Sequence, residues 1–371
     1  MAASFAPDTI LVSRSHGETR YALLVGAEVI EVRFVRDAEI QPGGVYAGRA
    51  GARLPMGKAL FVDFGDVLPG VMPVKDLPPQ GAALAVEVVV PARGDKGAEL
   101  KASTVKIPED AKLPCLLRAA PTPVAAWVSC YGNGIARIIS SPGEEAARLK
   151  KLLGAVVEEH DAGTDVFSAF GVDEVVEAAL RAEVPLPCGG SLIIETTAAV
   201  TAIDVNSGPA DTGVANMEAV TATAAALRLR NIAGHIVVDI IPARKRTVLP
   251  RHLAEALDAD PVHARVAGVT PLGMLELTRQ RIGLSLGEQL CDAGGKLSAA
   301  TVAYGLLRDA VRFVLSSKSA GVKITAAPEV VALLQGPLRA ALGEAEDAVK
   351  GGVTLVPRAD YGRQRVELAA P

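Results

Sequence analysis

Between residues 200 and 241 two apolar runs flank one long amphipathic stretch, and that order narrows the fold more than any other feature. "AVTAIDVN" and "HIVVDII" read as strands. From about residue 213 to 231, Val214, Met217, Val220, Ala224 and Leu227 recur at three- and four-residue steps, the spacing of one helix face. Strand, helix, strand makes an αβ unit whose strand ends open to one side. "SLIIETT" adds a strand just before it. Each apolar strand carries an aspartate, Asp204 and Asp239, and Asn206 shares a face with Asp204. Carboxylates are almost never fully buried without a partner. Two at neighbouring strand ends form an oxygen-rich site that suits Mg²⁺, which takes few protein carboxylates and keeps waters. The other reading makes one a loop cap and the other an arginine partner, and spacing alone leaves both open.

The surrounding charge bears on that choice. From residue 219 to 254 the only acid is Asp239, among Arg228, Arg230, Arg244, Lys245, Arg246 and Arg251. A basic field around two carboxylates suits a phosphodiester with a metal between, although a solvated charged face has the same composition. The whole chain, at net charge −4, does not advertise nucleic-acid binding.

Residues 9 to 35 alternate as a strand meander, and short β-like runs cut by Gly and Pro follow, the pattern of a small barrel. From about residue 105, "PVAAWVSC" and "GIARIIS" read as strands, while "GEEAARLKKLLGAVVEEH" and "DEVVEAALRA" read as helices. Beyond "CDAGGK" a last segment mixes helices and short strands. Phe61 and Phe64 could stack on bases, but barrel core is the preferred reading. No signal peptide is read at the N-terminus, and no apolar run approaches the ~20 residues of a membrane span. Cys115, Cys130, Cys188 and Cys291 have no paired spacing, which reads as free thiols in a cytoplasmic protein.

"TAIDVNSG", the "NMEA" helix ending in "LRLR", "GHIVVDII" and "LTRQR" together resemble the ribonuclease E/G family. The resemblance extends, more weakly, over nearly the whole chain. It implies an α/β (α+β) multidomain fold. An RNase H-like domain (1–35 plus 105–180) would hold an inserted OB-fold RNA-binding barrel (36–104). A DNase I-like catalytic αβ subdomain (181–290) and a small C-terminal α/β domain (297–371) would follow. By the same resemblance Asp204 and Asp239 are the catalytic metal ligands and Asn206 is the accessory catalytic residue. Phe61, Lys96, Arg228, Arg230 and Arg265 are the implied RNA contacts. The implied activity is Mg²⁺-dependent endonucleolytic hydrolysis of single-stranded RNA to 5′-phosphate products, in RNA processing or decay.

Several family features are replaced. The family's "GFLP" reads "GVMP", so Val71 stands for a second stacking aromatic. The segment carrying the 5′-monophosphate sensor has no counterpart. The zinc-binding Cys-Pro-x-Cys survives only as "CDAGG", so zinc is not expected, and a homodimer or monomer replaces the family's tetramer. Pro242 and Ala198 stand where the family has acids. These losses leave a second reading open: a catalytically inactive paralogue serving as an RNA- or protein-binding module. The intact carboxylate pair favours the enzyme, on the argument that a decayed site sheds costly buried charge first.

Overall fold

Residues 6–55, 58–161, 163–243 and 246–371 are described by the structure, a computed structural model. Strands β1 (Thr9–Ser15), β2 (Glu18–Val25) and β3 (Glu28–Arg36) come first, then β4 (Val45–Arg53), β5 (Ala59–Asp63), β6 (Gly70–Pro73), β7 (Ala83–Val90), β8 (Glu99–Ala102) and β9 (Cys115–Arg118). Helix α1 (Pro123–Tyr131), β10 (Arg137–Ser140), α2 (Glu144–Leu153), β11 (Val157–Glu159), α3 (Val166–Ala169) and α4 (Val172–Ala179) follow. Next come β12 (Glu183–Pro185), β13 (Ser191–Thr196), β14 (Thr201–Asn206), α5 (Thr212–Leu229), β15 (Gly234–Asp239), α6 (Leu249–Leu257), β16 (Ala264–Val269) and β17 (Met274–Arg279). The chain closes through α7 (Leu286–Leu290), α8 (Ala299–Ser317), β18 (Val322–Ala326), α9 (Pro328–Gln335), α10 (Arg339–Val349), β19 (Val353–Pro357) and β20 (Glu367–Ala369).

These elements form two compact units. One contains Ile40–Cys130 and Val175–Leu286, and the other Ala6–Glu39, Tyr131–Glu174 and Gly287–Pro371. In the first unit, β4 pairs with both β7 and β5, which closes a five-stranded barrel in the order β4, β5, β6, β8, β7. Strands β6 and β8 run parallel, and the closed barrel is consistent with an OB-like fold. Leu60, Val62, Phe64, Met72, Val86, Val88 and Leu100 fill it.

The same unit holds a six-stranded sheet in the order β12, β13, β14, β15, β17, β16. Only β14 and β15 are parallel, as a strand–helix–strand crossover requires. Alternate residues face opposite ways along each strand. Ile203, Val205, Ile236, Val238 and Ile240 are buried in one cluster with Val220, Leu227 of α5 and Leu249, Leu253 of α6. The other face carries Asp204, Asn206, His235, Asp239 and Glu276, all exposed. The Asp204 strand is therefore half-buried, and its carboxylate lies on the open side. Asp211 starts α5 by accepting from the amides of Gly213 (2.9 Å) and Val214 (3.3 Å). The helix presents Ala215, Ala219, Val220, Ala224 and Leu227 to the core, with Val214 half-exposed, so the buried face is rotated from the one periodicity suggested.

Helix α1 corrects the expected strand at "PVAAWVSC". Thr122 Oγ1 accepts from the Ala125 amide (3.3 Å), and Pro123 sits at the first helical position, where its missing N–H is harmless. A short apolar run cannot itself distinguish strand from helix.

In the second unit the sheet order is β11, β10, β1, β2, β3, with β1–β10 and β10–β11 parallel. The C-terminal segment makes a three-stranded sheet, β19, β18, β20, with α8–α10. Glu18, 1% exposed, accepts from Arg36 Nε (2.8 Å) and from Arg308 Nη1 of α8. Arg36 also donates to Thr301 Oγ1 (2.9 Å) and lies over the Tyr304 ring (4.9 Å). A buried carboxylate needs such partners, and here they join the first sheet to a helix near the other end of the chain. Among the described residues, no helix is long and apolar enough to cross a membrane.

Candidate active site

Asp204 and Asp239 are register partners on the parallel pair β14–β15. Adjacent strands lie about 4.8 Å apart, so the two carboxylates leave one sheet face side by side. Both belong to the last residues of their strands, where an open αβ sheet offers its ligand crevice. Asn206 Nδ2 donates to Asp204 Oδ2 at 3.1 Å, which fixes one carboxylate oxygen and brings the amide to the pair. The three residues expected to form the centre are thus together. All three are exposed, so keeping them imposes no burial penalty, and the argument that decay would first remove a buried carboxylate does not apply.

The donors are hard oxygens, which fit Mg²⁺ and not a structural zinc site. Among the described residues no three of His, Cys, Asp and Glu converge on a common point. The protein would therefore fill few positions around the ion and leave the others to water or substrate, as Mg²⁺ prefers. Cys291 stands in an isolated bridge with Leu297, and burial pushes its thiol pKa up.

The expected RNA contacts divide. Arg265 is exposed on β16, on the same sheet face as Asp239, through the pairings Arg265–Thr278 and Thr278–His235. Lys96 is exposed in the β7–β8 turn, held by paired backbone bonds with Arg93 (2.9 Å each). Phe61 is half-buried and lies directly opposite Val71 across β5–β6, while Phe64 is in the core, edge-on to Tyr46 at 5.6 Å. The core reading thus holds for Phe64 and not for Phe61.

Arg228 and Arg230 do not reach this surface. They are 3% and 8% exposed, and they donate to the carbonyls of Ala259 (3.1 Å) and Arg181 (2.8 Å). Desolvation lowers the pKa of Arg230. Both are framework residues at the end of α5. Arg251 is exposed and paired with Glu255 (2.8 Å), and Arg244, Lys245 and the side chain of Arg246 lie outside the described residues. A cavity of about 250 Å³ at the α6–β16 junction, lined by Leu257, Asp258, Pro261, His263 and others, contains none of the expected site residues.

Three residues in the quoted motifs have roles that spacing did not reveal. Arg279 of "LTRQR" is 2% exposed; it pairs with Asp260 (2.8 Å) and donates to the Ile232 carbonyl (2.9 Å), joining β17 to the approach to β15. Asn216 and Glu218 of "NMEA" bind loop backbone at Ile241 and Cys188. Their sequence signal is an amide and a carboxylate in a helix whose other residues are mostly small or apolar.

Comparison with known proteins follows the same sheet. The Ribonuclease E/G family profile matches residues 100–282. Ribonuclease E of Nostoc sp. is 36% identical over 191 residues, covering 45% of this chain and 28% of that protein. Ribonuclease G of Salmonella typhimurium and of Escherichia coli are 26% and 27% identical, each covering 97% of this chain and 99% of the relative. Those alignments run to 483 positions against 371 residues here, so more than a hundred positions stand opposite a gap in this chain. A profile that takes in both carboxylate strands, and relatives aligned along nearly their full length, lead to one conclusion: the chain belongs to the ribonuclease E/G family.

Proposed function

We propose that the protein is an Mg²⁺-dependent endoribonuclease that hydrolyses single-stranded RNA to 5′-phosphate products, in RNA processing or decay. The observation that carries this reading is the Asp204–Asp239 pair, in register on parallel strands with Asn206 bonded to it on an open face. The ribonuclease names of relatives aligned over 97% of the chain support it.

Asp204 and Asp239 would hold Mg²⁺, which when bound polarises the phosphate and makes water a better nucleophile. Asn206 orients Asp204 through Nδ2 and keeps its Oδ1 and second N–H for water or a phosphate oxygen. The sheet supplies rigid placement of all three before substrate arrives. In the net reaction, water oxygen joins phosphorus and the P–O3′ bond breaks. A 3′-hydroxyl and a 5′-phosphate result. Arg265 on the same face offers its charge to a neighbouring phosphate. The proposal includes an RNase H-like assignment for the sheet of β1–β3, β10 and β11 and a DNase I-like one for the carboxylate sheet. It also includes a cytoplasmic location, a monomer or homodimer, and no structural zinc.

The direct test is 5′-labelled single-stranded RNA with the purified protein, in Mg²⁺ or in EDTA. Fragments are expected only with Mg²⁺, with 5′-phosphates on the downstream pieces. RNA retained but uncut under both conditions would establish the binding module instead.

The barrel face gives a second expectation. Phe61 and Val71 are neighbours on the outside of β5–β6, so Val71→Phe would place two rings side by side. A base stack on an aromatic ring is worth ~1–3 kcal/mol, and ~1.4 kcal/mol is tenfold in Kd. Val71→Phe should tighten single-stranded RNA binding about tenfold and flatten its salt dependence, read by titration across salt concentrations. An unchanged affinity would remove this face from the RNA path.

A further inference from the structure

Outside the carboxylate pair, two polar side chains in the first turns of α5 bind loop backbone. Asn216 is 1% exposed, and its side chain is bonded to loop backbone. Nδ2 donates to the Ile241 carbonyl (2.7 Å), and Oδ1 accepts from the Ile241 amide (3.0 Å). This two-way pairing, of the kind one strand gives another, holds the chain two residues beyond Asp239. An asparagine side chain offers donor and acceptor together at this reach.

Glu218 lies two residues on, roughly 200° around the helix, and so points to the other side. Its Oε2 accepts from the Cys188 amide (2.8 Å), in the turn between β12 and β13. That turn presses on the strand end beside Asp204. A Cβ on Gly190 would fall 2.2 Å from the Asn206 carbonyl oxygen, and one on Gly208 would fall 2.3 Å from that of Gly189. In the sheet, β14 lies between β13 and β15. One helix therefore grips the backbone on both flanks of the strand that carries Asp204 and Asn206.

We propose that Asn216 and Glu218 are positioning residues that set the separation of the Asp204 and Asp239 carboxylates, and so the affinity of the pair for a divalent cation. This rests on the nuclease reading of the site. The register of β14 with β15 fixes the two residues at the backbone, but theirs is the last pair of that ladder. Beyond Asp239 no ladder bond follows, and the Asn216–Ile241 pair takes its place. A shift of about 1 Å in a reacting group can lower a rate ~100-fold, so slack at this point reaches the chemistry without touching substrate.

The experiment uses the full chain and reads cation binding apart from turnover. Mn²⁺ binding is followed by the electron-spin signal of the free ion, alongside kcat, KM for single-stranded RNA, and thermal melting. Asn216→Ala is expected to weaken Mn²⁺ binding at least ~fivefold and lower kcat ~10- to 100-fold, with KM unchanged and the protein folded at the assay temperature. Glu218→Ala should show the same pattern. Glu218→Gln, which keeps the acceptor oxygen, should restore both readings. The proposal is overturned if folded Asn216→Ala binds Mn²⁺ and cleaves like wild type, or if lost activity follows only the unfolded fraction. Glu218→Ala against Glu218→Gln decides the question should Asn216→Ala fail to fold. Undiminished cleavage by Asp204→Asn or Asp239→Asn would instead reject the nuclease assignment itself, a result separable from failure of the clamp.

Discussion

Asp204→Asn and Asp239→Asn should each lower the rate of RNA cleavage by at least ~100-fold while leaving the melting temperature close to that of the parent. The large effect follows from charge. A bound divalent ion contributes several kcal/mol to stabilising the transition state, and each 1.36 kcal/mol is tenfold in rate. Asparagine keeps the shape of aspartate but removes the negative charge that holds the ion. The small effect on folding follows from exposure, since substitutions at exposed positions usually stay within about 0.5 kcal/mol. Single-turnover cleavage at saturating Mg²⁺, with a melting curve for each variant, provides the check. Cleavage by either variant at the parental rate would mean that the pair is not the metal site.

The opposite division of effects is expected at Arg279. Its side chain is 1% exposed and that of Asp260 is 4% exposed, so the ion pair between them is removed from water at both ends. Taking away one partner of a buried pair costs about 3–5 kcal/mol, because the other charge is left desolvated. Arg279→Met keeps a comparable stem and loses the guanidinium, and with it the bond to the Ile232 carbonyl ahead of β15. Urea unfolding should move by that amount. Activity per folded molecule should fall far less than in the aspartate variants. A shift below about 1 kcal/mol would show that surrounding groups or water take over the contact to Asp260.

What the sequence disclosed tracks how local the governing physics is. The meander of β1–β3 and the β14–α5–β15 unit were legible because hydrophobic alternation and helical periodicity are written residue by residue. The pairing of Asp204 with Asp239 was legible for the same reason, once both strands were assigned. The direction of a long side chain was not. Arg228 and Arg230 read as part of a basic field, because composition counts charges without knowing that these two turn inward to backbone carbonyls. Phe61 and Phe64 sit three residues apart, an odd interval that sends one ring outward and the other into the barrel, beyond what their shared aromaticity could distinguish. Asn216 was visible as a letter in a motif, but its partner is the backbone of Ile241, and a backbone partner leaves no mark in sequence.

The buried bond between Glu18 and Arg308 joins residues 290 positions apart. During synthesis, β1 and β2 leave the ribosome long before α8 exists, and β1 must also wait for β10, which emerges only after the whole barrel. The barrel and the carboxylate sheet are built from later, more nearly continuous stretches, and each can close before the N-terminal sheet has its last partner. Until α8 is made, Glu18 and Arg36 have each other but lack Arg308 and Thr301, so the cluster is incomplete for most of translation. A contact that closes the first sheet is thus encoded almost three hundred residues after the strand it completes.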